Sequence, residues 1–172
     1  MSQILETGIK YEGGEYEPRY YKVVNANFGT PGIHEYSIGT NIYEYKKNES
    51  LHNRDGLYFT DINNIFNYCN YGPVVLQITI PHDAKIIYYP EVIDSEPIPG
   101  WCADKINVEK YYFLTSTIDV IELLNNGADI SAGNFEIIRW SLMNNHELFK
   151  FFSYFYGDIV KRVIEDYYRI YY

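Results

Sequence analysis

Asp55-Gly56-Leu57-Tyr58-Phe59-Thr60-Asp61, with the run that follows it to Pro81, decides how this chain is read. It has the form of a short strand, a capped helix, a Gly-Pro break and a second, longer strand. Thr60 or Asp61 can cap a helix start, because a side-chain oxygen there satisfies an orphan backbone N–H. Ile62, Ile65, Phe66 and Cys69 then fall at i, i+3, i+4 and i+7, one apolar stripe of a helix. Gly72-Pro73 ends it, since proline cannot continue a helix and glycine accepts the turn. Val74, Leu76, Ile78 and Ile80 alternate with Val75, Gln77 and Thr79, the period-2 pattern of a strand with one apolar face.

Upstream the sequence predicts sheet, and downstream it predicts helix. Residues 1–18 read as a turn-rich lead-in with Gly13-Gly14 and Pro18. Tyr20-Tyr21-Lys22-Val23-Val24 is a strand, and residues 28–32 turn. Residues 33–38 and 41–45 are strands joined by a hairpin at Gly39-Thr40, and a polar loop follows over residues 46–54. Beyond Pro81-His82-Asp83, residues 85–89 form a strand that closes a hairpin with residues 74–80. Residues 90–100 carry three prolines and three acids and read as a surface loop. Residues 101–106 lead to one last strand near Tyr111-Tyr112-Phe113-Leu114.

From Ser116 the period changes. Ser116 and Asp119 resemble a capping box, with Asp replacing the usual Glu. Val120, Ile121, Leu123 and Leu124 follow, and Gly127 stands where a helix-ending glycine belongs. Phe135, Ile137, Ile138, Trp140 and Leu142 mark a second helix, and Leu148, Phe149, Phe151, Phe152 and Phe155 a third. Val160, Val163, Ile164, Tyr167, Tyr168 and Tyr171 mark a fourth, with charged residues on its other face. The expected class is α+β: a mixed or antiparallel sheet domain with one packed helix over residues 1–114, then a helical tail over 115–172.

Composition narrows the function. A hydrophobic share of 47% supports a true core, and a net charge of −9 argues against nucleic acid or anionic membrane surfaces, which need Lys/Arg clusters. No apolar stretch reaches the roughly 18 residues of a membrane span, and residues 1–6 lack the basic start and apolar run of a secretory leader. Only Cys69 and Cys102 are present, too few to staple the chain, which points to a reducing, intracellular setting. The twenty tyrosines, beside abundant Asn and Ile, read first as a codon bias. They also suit half-buried sheet faces and interfaces.

Chemistry-bearing motifs are scarce. His34, His52, His82 and His146 with the two cysteines show no metal-ligand spacing, no nucleophile–histidine context appears, and the glycines match no phosphate loop. No metal or cofactor is expected. One enzymatic alternative rests on Gly56-Leu57-Tyr58-Phe59-Thr60, which resembles the aromatic strand of ADP-ribosyltransferase-like domains. That resemblance implies a nicotinamide pocket lined by Arg54, Tyr58 and a later acid, Glu91 or Glu109. The competing reading makes Leu57 and Phe59 core and Tyr58 surface.

An internal repeat points elsewhere. Asp119-Val120-Ile121-Glu122-Leu123-Leu124 with Gly127-Ala128-Asp129-Ile130 lies over Glu147-Leu148-Phe149-Lys150-Phe151-Phe152 with Gly157-Asp158-Ile159. The offset is 28 residues in the helix and 29 or 30 at the turn, near the length of an ankyrin unit. The chain here resembles the ankyrin-repeat proteins of giant viruses of the mimivirus type. Gly56 to Asp61, Asn64 to Phe66, Tyr71-Gly72, Val74 to Pro81 and Trp101 to Ile106 carry the resemblance in order, over roughly residues 20–160. The repeats number barely two and lack Thr-Pro-Leu-His, so the Tyr-rich last helix reads as a cap.

The resemblance implies protein–protein interaction without catalysis, with a host or viral protein as partner and self-association through the C-terminal helices as a further mode. Tyr154, Tyr156, Tyr167, Tyr168 and Tyr171 are the expected contact residues. A structural or virion-associated role is the remaining alternative, and the implied location is the host cytoplasm or the virion.

Overall fold

The computed structural model describes residues 18–30, 34–43, 56–88, 91–93 and 96–171, with the side chains of 34, 91–93, 96, 97, 170 and 171 outside that description. The strands are β1 (Tyr20–Val24), β2 (Gly29–Thr30), β3 (His34–Glu35), β4 (Gly39–Ile42), β5 (Leu57–Phe59), β6 (Val74–Thr79), β7 (Ile86–Tyr88), β8 (Glu91–Ile93), β9 (Glu96–Ile98), β10 (Trp101–Ala103) and β11 (Lys105–Phe113). A 3₁₀ helix (Ile65–Tyr71) precedes β6, and α1 (Thr117–Asn125), α2 (Ala132–Asn144), α3 (His146–Phe155) and α4 (Gly157–Tyr171) close the chain. The class is α+β. The lead-in over residues 1–17 and the polar loop over 46–54 lie outside the described residues.

Four antiparallel strands in the order β1-β6-β11-β4 form the larger sheet, and β5-β10-β7 the smaller. The two meet edge to edge, where Tyr21 and Thr60 exchange backbone hydrogen bonds of 2.8 Å in each direction. All six residues of β6 are buried, because this central strand is covered on both faces. Val74, Leu76 and Ile78 join Val24, Leu57, Phe59, Ala103, Ile106 and Val108 in a core enclosed by the two sheets. Val75 turns to the other face, into a core shared with the helices.

A bulge between Val108 and Lys110 divides β11. Before it the even positions Ile106 and Val108 face the sheet-side core; after it the even positions Tyr112 and Leu114 face the helices. An extra residue reverses the side-chain alternation, so one strand serves two cores. It also hides the strand from period counting: the expected short strand near Tyr111 runs nine residues, from Lys105 to Phe113.

Three other expectations are corrected. Residues 74–80 and 85–89 do not form a hairpin, since β6 pairs with β1 and β11 while β7 pairs with β10. Gly39-Thr40 is not a hairpin turn but part of β4, which pairs with β11. The turn lies just before it, held by the Asn41 side chain, which accepts from Ser37 N and donates to the carbonyls of Ser37 and Gly39. The loop over residues 90–100 contains a short hairpin, β8 with β9, a setting whose edges tolerate Pro97.

The capped helix is a 3₁₀ helix rather than an α-helix. Asp61 accepts from the Asn64 N–H at 3.0 Å, and the Asn67 side chain donates to the Asn64 carbonyl at 3.0 Å. Such asparagine bonds compete with the α-helical ladder and favour tighter turns. Ile65, Phe66 and Cys69 are still fully buried, so the stripe does its work in the tighter form. Thr60 caps nothing; its hydroxyl donates to the Pro99 carbonyl at 2.7 Å.

The helices lie on the face of the larger sheet away from β5-β10-β7, around Val120, Leu123, Ile137, Ile138, Leu148, Phe152, Val160 and Val163. Ser116 caps α1 by accepting from the Asp119 N–H at 3.3 Å, while the Asp119 carboxylate accepts from Phe113 N–H at 2.8 Å. The start of α2 is left-handed at Gly133, Asn134 and Phe135 (φ 59°, 54° and 66°). Arg139 donates to the Gly133 carbonyl and to Glu136, and Asn70 of the 3₁₀ helix donates to Glu136 at 2.7 Å. Among the described residues no helix is long and apolar enough to cross a membrane.

Candidate functional site

Two surfaces carry the chemistry-bearing side chains. The first is on the C-terminal helices. Along α3 the residues facing the sheet, Leu148 and Phe152, are fully buried, while Tyr154 is 83% and Phe155 62% exposed. Phe151, Phe155 and Tyr154 form a chain of rings, with centroids 4.8 Å and 4.9 Å apart. Where α2 meets α4, Met143 is 60% and Tyr168 56% exposed. The Tyr167 hydroxyl lies 3.8 Å from the Met143 sulfur, and the Tyr167 and Tyr168 rings stand 5.9 Å apart.

The five expected contact residues therefore divide. Tyr154 and Tyr168 are exposed. Tyr167 is half-buried against Met143, and Tyr156 turns inward beside Phe152, with centroids 6.2 Å apart. The side chain of Tyr171 lies outside the described residues. Phe155 on α3 and Met143 on α2, neither of them expected as contact residues, are exposed as well.

The second surface is a cleft of about 350 Å³ at the junction of β1 and β5. The strands are antiparallel and joined at Tyr21–Thr60; beyond that bridge the Lys22 ammonium donates to the Tyr58 carbonyl at 2.7 Å. A side chain thus spans the place where the next rung of backbone pairing would stand. Lys22 is 8% exposed, and its nitrogen lies 5.4 Å from the Tyr36 ring centroid. A buried ammonium is costly unless dipoles or rings stabilise it, and here a carbonyl and an aromatic ring both do.

Aromatic rings form much of the remaining wall: Tyr58, Tyr68, Tyr71 and Trp101. Trp101 is fixed by a stacked Phe59 (6.2 Å, 14° between planes) and by the edges of Tyr20 and Tyr88. Burial pushes the Tyr36 hydroxyl far above the ordinary tyrosine range and raises that of Tyr21 as well. These rings stay protonated at neutral pH and act as neutral walls.

Tyr58, expected in the enzymatic alternative, does line this cleft, between buried Leu57 and Phe59. Glu109 is not part of it: its carboxylate accepts from Gln77 at 3.1 Å and from Thr79 at 3.2 Å. Arg54 and the side chain of Glu91 lie outside the described residues. Among the described lining residues none carries a carboxylate. Among the described residues no group of three or more His, Cys, Asp or Glu gathers as metal ligands, and Cys69 and Cys102 are buried and not joined in a disulfide.

Lys22 was likewise not among the expected site residues. Its signal was a charge in the middle of Tyr-Tyr-Lys-Val-Val, a strand otherwise fit for burial.

No family model, no curated protein and no solved structure matches the chain.

Proposed function

We propose that this chain is a non-catalytic protein-binding module whose contact face is on the C-terminal helices. The observation that carries the reading is the exposure of Tyr154, Phe155, Met143 and Tyr168 on helices whose opposite sides are fully buried. Tyr, Phe and Met are the types enriched at protein interfaces, and a stable monomer gains nothing from leaving them in water. The internal repeat and the Gly56–Asp61 signature support placing the module with the giant-virus ankyrin-repeat proteins, with a host or viral protein as its partner.

The test is affinity capture from cells harbouring the protein, with the native chain and with a Tyr154→Ser, Phe155→Ser double variant. Both positions are exposed, so the variant keeps its fold, which circular dichroism checks. The expected result is a defined partner, held in a stoichiometric complex by the native chain and lost with the variant. Equal capture by both chains would reject the helical face. Sizing both across a concentration series distinguishes a second copy as the partner.

A further inference from the structure

We propose that the cleft between β1 and β5 is a binding site for a small planar aromatic carboxylate. Its volume of about 350 Å³ is at the lower end of the 300–1,000 Å³ that small-molecule sites typically occupy, room for one or two fused rings. Tyr36, Tyr58, Tyr68, Tyr71 and Trp101 supply aromatic walls, which favour a flat, π-faced guest over an aliphatic one of equal size. Lys22 places a positive charge at the wall, in surroundings of low dielectric where it acts strongly on an acidic oxygen.

The backbone adds to the fit. Tyr21 turns its N–H and C=O away from β6 and toward Thr60, so Val23, two residues on along β1, presents its amide group on that same edge. Val23 lines the cleft where β1 and β5 have parted. Among the described lining residues the polar groups include the lysine ammonium, this strand edge, Thr30 and Thr60, and most of the apolar surface is ring. A carboxylate attached directly to an aromatic ring system meets both at once. This site is separate from the helical face proposed above, and its failure would leave that proposal standing.

The experiment titrates the full chain with three probes followed by proton–nitrogen NMR: naphthoate, the uncharged naphthamide, and cyclohexanecarboxylate. Naphthoate is expected to give saturable shifts at the Gly56 and Gly100 amides and the Trp101 indole N–H. Naphthamide should bind at least tenfold more weakly, and cyclohexanecarboxylate should leave those signals unmoved. Lys22→Met should lower naphthoate affinity at least tenfold. Tyr71 is 57% exposed, so Tyr71→Ala tests the aromatic wall without endangering the fold and should weaken binding several-fold. Affinity weaker than about 1 mM, equal binding of acid and amide, or shifts centred on α3 instead would each overturn the proposal. So would naphthoate affinity unchanged in both variants.

Discussion

A Cβ at position 72 would overlap the Val24 carbonyl oxygen and lie 2.5 Å from the Cα of Asn25, so Gly72 touches β1 backbone to backbone. Its φ of 153° is also one that side chains rarely adopt. Contact of this kind fixes the end of the 3₁₀ helix against the larger sheet. Gly72→Ala forces two backbone segments apart, because no flexible side chain is there to yield. The expected loss is about 3 kcal/mol or more in chemical denaturation. A loss below about 1 kcal/mol, the usual cost of a routine substitution, would show that the close approach is not needed.

Tyr112 is buried with its hydroxyl donating to Gln77 at 2.8 Å and lying 3.2 Å from the Glu122 carboxylate. Burial, then the Glu122 charge, push its ionisation up from 10.0 to about 12. The folded state holds this proton more tightly than the unfolded chain does. The stabilisation is therefore complete below pH 10 and drains away as pH rises toward 12. Ultraviolet titration should show one fewer late-ionising tyrosine in Tyr112→Phe, while the raised Tyr36 and Tyr21 stay. At neutral pH the same variant should cost about 1–3 kcal/mol, since buried Gln77 loses its donor.

On α3, two aromatic residues two positions apart should behave oppositely. Phe152→Ala empties a fully buried site in the core shared by the larger sheet and the helices, and large-to-small changes of this kind cost about 3–5 kcal/mol. Tyr154→Ala, at a site 83% exposed, should stay within about 0.5 kcal/mol. Comparable losses at the two positions would contradict the orientation of the helix.

Cys69 is fully buried on the inner face of the 3₁₀ helix, and burial holds its thiol well above the ordinary cysteine value. A thiolate is the reactive form, so the native protein should react with a disulfide reagent at Cys69 only as fast as it opens. Cys102 is 2% exposed and should behave alike. Denaturant should release two rapidly reacting thiols; one that reacts at once in the native state would show the interior to be open there.

Much of the fold could be read from residue order. The stripe Ile65, Phe66 and Cys69, the Gly72-Pro73 stop, the strand from Val74 and the four helices after Ser116 are local patterns, and each lies where its period put it. The partners of β6 and β7 were not legible, because pairing depends on residues far apart in the chain. The bulge in β11 reversed the alternation that a strand search relies on. On the C-terminal helices the tyrosine content drew attention to Tyr154 and Tyr168, which are exposed, whereas helical phase set Tyr168 on the apolar stripe, and Tyr156, at the α3–α4 junction, packs beside Phe152. Of the cleft only Tyr58 was foreseen, because its walls come from β1, β5, Thr30, Tyr36, the 3₁₀ helix and Trp101. No single window contains more than a fragment of it.

The Tyr21–Thr60 bridge has a bearing on solubility. β1 ends the larger sheet, and an uncovered edge strand rich in Tyr and Val is a template on which further copies of the chain could stack. The exchange with Thr60 closes that edge at Tyr21, and Lys22 sets a charge beside the stretch where the bridge ends. The fold thus carries a guard against its own polymerisation, at the point where an apolar strand would otherwise invite it.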